Sequence, residues 1–148
     1  MRWDIEIAIS QIVADFLTSV LDGDLLAACP AVTFFDPMSV DEANRIVVQI
    51  PDGETGADDP GTGAVMVNLV VKSQWKQAGG KEDMATHFDR VNKVRDQMMR
   101  ADLKDQLNAL APSGVGIAFV QPKRSFHTTI RQGWTVSEDQ IQVNYWQI

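Results

Sequence analysis

Residues 63–75 read GAVMVNLVVKSQW, and this stretch decides the fold. Val65, Val67, Leu69 and Val71 recur at every second position, while Asn68, Lys72 and Gln74 fall in the other register. A period of two puts the first set on one face of a β-strand and the second set on the other. Its β-branched content suits the pleated, half-buried surface of a sheet. A buried sheet face needs a second layer, and the sequence on either side of the strand predicts one.

Upstream, Ile5, Ile9, Ile12, Val13, Phe16, Leu17, Val20 and Leu21 repeat at helical spacing. This predicts an amphipathic helix with Asp4 as its cap and Gly23 at its end. Residues 25–28 predict a short helical turn, and 32–35 an extended segment before Asp36-Pro37, where proline restricts the preceding residue. RIVVQI at 45–50 predicts a second strand, stopped by Pro51-Asp52-Gly53. Between the two strands lies DGETGADDPGTG, residues 52–63, with no apolar periodicity, which predicts a long hairpin loop that can carry partner contacts.

Downstream, Thr86 and Asp89 have capping-box spacing, and Phe88, Val91, Val94 and Met98 form a helical stripe. Leu103, Leu107 and Leu110 continue it to Pro112, as one helix or as two pieces bent near Arg100-Ala101. Gly114 and Gly116 admit a turn before a strand at 115–120. Residues 125–135 and 141–148 predict two more strands, with Ser137-Glu138-Asp139 as a turn between them. The carboxy-terminal strand is predicted as an exposed edge. The resulting class is α+β, a largely antiparallel sheet packed against an amino-terminal helix and a central helical segment, in one domain spanning 1–148.

A chain of 148 residues can bury a core without metal or disulfides. Cys29 is its only cysteine, so no internal disulfide forms. A formal charge of −7 argues against a generic nucleic-acid surface and against sequence-specific nucleic-acid binding. No apolar run approaches the roughly 20 residues of a membrane span, and the acidic residues of MRWDIEIAISQ interrupt any signal-peptide core.

Chemical motifs are sparse. Asp52, Glu54, Asp58 and Asp59 miss the EF-hand spacing, and His87 and His127 belong to no zinc-binding pattern. Cys29 precedes Pro30 without a local base, and no G-x-S-x-G elbow surrounds a serine. Gly61-Thr62-Gly63 and Gly114-Val115-Gly116 lack the rest of a phosphate-binding loop. The expectation is therefore no catalytic residue, no cofactor and no metal, with hydrogen bonding as the role of His87. Interface candidates are Trp3 and Trp146 for their apolar area, Glu54, Asp58 and Asp59 on the long loop, and the cations Lys123, Arg124 and Arg131.

In its order of features the chain resembles the tail-terminator and related head-to-tail joining proteins of tailed bacteriophages. The resemblance runs through the leading helix at 5–21, the strands RIVVQI and GAVMVNLVV, the helix HFDRVNKVRDQM and the closing IRQGWTVSEDQIQVNYWQI. It implies a virion structural protein assembled in the host cytoplasm. Its implied form is a homo-oligomeric ring, commonly a hexamer, that caps the tail tube and joins it to the head. The implied partners are the tail-tube protein and a head-proximal connector protein. A neck stopper, another tail-completion component and a non-catalytic protein-binding adaptor are the alternative expectations.

Overall fold

The computed structural model describes residues 2–33, 44–49, 62–74, 81–131 and 134–147. Helices α1 (Arg2–Val20) and α2 (Gly23–Ala28) precede strands β1 (Ala31–Thr33), β2 (Arg45–Gln49) and β3 (Thr62–Gln74). Helices α3 (Lys81–Met98) and α4 (Leu103–Leu110) follow, and the long strands β4 (Val115–Arg131) and β5 (Trp134–Gln147) close the chain. The five strands form one sheet in the order β1-β2-β3-β5-β4. Only β1 and β2 run parallel; the other neighbours are antiparallel. The fold is α+β, as the alternation in β3 and the helical stripes around it require.

β3 is central because both of its edges are paired. It meets β2 from Asn68 to Lys72 and β5 along its whole length, Thr62 opposite Trp146 through Gln74 opposite Trp134. Val65, Val67, Leu69 and Val71 join Ile46, Val48, Ile117, Ile141 and Val143 in the main core. The helices cover this face with Ile5, Ile9, Val13, Phe16 and Leu17 of α1, Val91 and Val94 of α3, and Leu103 and Leu107 of α4. Each such side chain contributes roughly 1.5–3 kcal/mol by leaving water. The opposite register of β3 makes the second face, where Val47 and Val70 sit directly across from each other and are also buried.

Several expectations are corrected. Residues 115–131 form one strand, not two, and Ser137, Glu138 and Asp139 lie inside β5. Cross-strand pairing overrides their turn propensity: Val71, Val70 and Leu69 of β3 face them across the ladder. Irregular register between Ile117 and Phe119, Pro122 and Arg124, and Arg124 and His127 lets the long β4 follow β5 despite a proline. Pro122 is tolerated because β4 is an edge strand. The carboxy-terminal strand is thus internal, and β4 is the long edge.

Asp4 and Thr86 lie within α1 and α3 and cap neither helix. Gly23 opens α2 and does not close α1. On α3, His87 takes the inward position and Phe88 is exposed. The helical section breaks at residues 99–102, where Arg100 clasps Asp102 through Nε at 2.9 Å and Nη2 at 3.0 Å. Gly114, at φ 87°, turns the chain into β4 in a conformation that disfavours a side chain.

Candidate functional site

Beneath α3 the core turns polar. On the helix-facing side of the sheet, β3 ends in Ser73, and β5 presents Thr135, Ser137 and Asp139 at alternating positions. All four are buried, which demands hydrogen-bond partners. α3 supplies them. His87 is fully buried, with Nδ1 2.8 Å from Ser73 Oγ and Nε2 2.7 Å from Ser137 Oγ. Arg90 Nη1 donates to Ser73 Oγ at 3.0 Å, and Ser137 Oγ lies 2.9 Å from Thr128 Oγ1 of β4. Thr135 Oγ1 reaches Met84 Sδ at 3.6 Å.

Arginine can only donate, so Ser73 Oγ accepts from Arg90 Nη1. The tautomer of His87 sets which way the protons run along Ser73, His87, Ser137 and Thr128. Burial lowers the His87 pKa to about 4, and the positive charge of Arg90 pushes in the same direction. The imidazole is therefore neutral at pH 7 and ties α3 to three strands. Asp139, whose Oδ1 accepts from the backbone N–H of Gln140 at 2.9 Å, has its pKa raised by burial.

A serine within 2.7 Å of a histidine has the spacing of a nucleophile and its base. Here both ring nitrogens face serines, so no carboxylate orients the base, and His87, Ser73 and Ser137 are all closed to solvent. The arrangement can lock elements together. It presents no reacting atom to a substrate. Cys29 is equally enclosed, and burial pushes its thiol up to about 11 against the pull of Arg90 and Arg45. Among the described residues no group of histidine, cysteine and carboxylate side chains is placed to hold a metal ion.

A cleft of about 510 Å³ opens between α2 and α3, lined by Asp22, Asp24, Leu25, Thr86, Asp89 and Lys93 among others. Lys93 crosses it, 3.0 Å from Asp22 and 3.3 Å from Asp89. These exposed ion pairs pin the start of α2 to α3 and contribute little stability.

The sequence-predicted interface residues that are described lie on three elements, α1, β4 and β5. Lys123, Arg124 and Arg131 all fall on the edge strand β4, with Lys123 exposed. Trp146 is exposed near the end of β5, across from Gly116 of β4 and Thr62 of β3. Trp3 belongs to the first turn of α1, and Glu54, Asp58 and Asp59 lie outside the described residues. Trp134 holds Lys72 over its ring, 4.3 Å from the centroid. The partners of His87 were not visible in sequence, since Ser73, Thr128 and Ser137 are scattered along the chain and only strand register gathers them.

Fold and site together define an α+β domain with helices on one sheet face, an interior polar lock and a long edge strand. No family model matches the chain, and a search of curated proteins finds no match to it. No helix among the described residues is long and apolar enough to cross a membrane.

Proposed function

We propose that this chain is a structural assembly subunit, a tail terminator whose copies form a ring at the end of a phage tail tube and join it to the head. The observation that carries the reading is the edge strand β4. It is seventeen residues long, bears Lys123, Arg124 and Arg131 without one acidic residue, and belongs to a chain of net charge −7. A long edge strand on a small domain, covered among the described residues by Asn108 at Ile117, is a surface for another chain. Opposite charge between that edge and the remainder of the protein suits contacts repeated from copy to copy.

The enclosed His87 cluster supports the same reading. Its polar groups serve rigidity, and a subunit repeated around a ring has to present the same shape at every position. An acidic surface toward the lumen would keep passing DNA from adhering. The proposal is tested by negative-stain imaging of tail tubes assembled with and without the protein. A ring at one tube end and uniform tube length are expected when it is present. Tubes that grow on regardless, with unoccupied ends, would refute the assignment.

A further inference from the structure

The cleft between α2 and α3 holds more charge than its ion pairs account for. Its walls carry Asp22, Asp24 and Asp89 against Arg90 and Lys93. Lys93 answers two of the carboxylates, at 3.0 Å from Asp22 and 3.3 Å from Asp89. Arg90 and Asp24 pair with no opposite charge among the described residues. They stand on different walls, Arg90 on α3 and Asp24 on α2.

Arg90 is the less ordinary of the two. It is half-buried, and its Nη1 donates to the hydroxyl of buried Ser73 at 3.0 Å. That bond leaves over the Nε–Nη2 edge of the guanidinium, a planar fork that matches both oxygens of a carboxylate. No acceptor among the described residues fills it. The charge of Arg90 reaches the buried Cys29 and His87, which burial keeps neutral at pH 7. Neutral surroundings that exclude water screen a guanidinium poorly, so its attraction for an anion in the cleft is strong. Thr86, one turn earlier on α3 and exposed in the same cleft, adds a hydroxyl with no partner among the described residues.

We propose that this cleft binds a small zwitterion, a molecule with one free carboxylate and one free ammonium such as an amino acid or a short peptide. The carboxylate takes the open fork of Arg90 and the Thr86 hydroxyl. The ammonium turns to Asp24 on the facing wall. The walls favour this class over a phosphate, because three carboxylates face two cations and would repel a dianion that Arg90 attracts. A ligand with a cation alone would leave Arg90 unanswered, and one with a carboxylate alone would leave Asp24 so. The volume of about 510 Å³ lies in the range of small-molecule sites, and Leu25 and Ala28 supply apolar lining for a ligand side chain.

Binding is read on the full chain alone, so its outcome is separate from that of the tail-tube assay. Titration with L-leucine and with the tripeptide Gly-Gly-Leu, followed by NMR, should give saturable shifts at the Asp24, Thr86 and Arg90 amides. The His87 ring signals should move too, because a carboxylate on Arg90 offsets the positive charge that acts on the imidazole. Tighter binding of leucine marks free amino acids as the source, and tighter binding of the tripeptide marks peptides. Acetate and ethylammonium, with one charge each, should bind roughly tenfold more weakly or not at all. Arg90→Gln and Asp24→Asn should each weaken the zwitterion roughly tenfold. Asp24 is exposed, so its variant should do this with an unchanged thermal midpoint, whereas Lys104→Gln, exposed on α4, should leave binding intact. No saturable shift at roughly millimolar ligand, acetate that binds as tightly as leucine, or Asp24→Asn binding like the parent would each overturn the site.

Discussion

His87 couples stability to pH through a single ring. Its folded pKa of about 4 lies below the ordinary histidine value of 6.5, so between those values the unfolded chain holds a proton that the folded chain does not. The stability it supports is complete above about pH 6.5 and is lost progressively as pH falls toward 4. At 1.36 kcal/mol per pH unit the loss approaches about 3 kcal/mol. Asp139 works the other way, because its raised pKa makes the folded state the better proton binder as the solution becomes acidic. Comparing the parent with His87→Gln isolates the histidine. Urea unfolding at pH 7 and pH 4.5 should show the parent losing about 2–3 kcal/mol more than the variant on acidification. Equal losses would contradict the neutral, enclosed imidazole.

At the scale of elements, the strand and helix patterns were legible wherever burial follows period. In α1, Ile5, Ile9, Ile12, Val13, Phe16 and Leu17 are all buried as the helical spacing requires, and β3 buries Val65, Val67, Leu69 and Val71 as the alternation requires. Where local propensity and cross-strand pairing disagree, pairing prevails. Ser137-Glu138-Asp139 has the composition of a turn, yet β3 on one side and β4 on the other hold it extended. Which strand forms the edge depends on connection order, which no single segment encodes, so β5 was misread as exposed. His87 was legible as a hydrogen-bonded histidine, but its serine partners were not, because they lie 14 and 50 positions away in the chain.

The joint between α4 and β4 gives an element-scale test. Asn108 satisfies both backbone groups of Ile117 with one side chain. Asn108→Asp removes the donor and sets a carboxylate oxygen against the Ile117 carbonyl, at a cost of about 1–3 kcal/mol. Amide hydrogen exchange should show faster exchange around the start of β4 than in the β3–β5 ladder. Unchanged protection at Ile117 would mean that the amide does not hold this joint.

For the whole molecule, helices cover one sheet face, β4 is an edge strand that carries Lys123, Arg124 and Arg131, and the second face ends in an uncharged patch bearing Phe119 and Trp146. These surfaces differ in chemistry and lie on one rigid sheet, which suits a protein that meets several neighbours at fixed angles. A head-to-tail contact repeated at a constant rotation closes into a ring, whereas one that fails to close gives an open filament. Native mass measurement of the purified protein, alone and with tail tubes, tests this most directly. The account predicts one discrete multiple of the 16.4 kDa chain. A species of 16.4 kDa in both conditions, or an unending ladder of sizes, would contradict it.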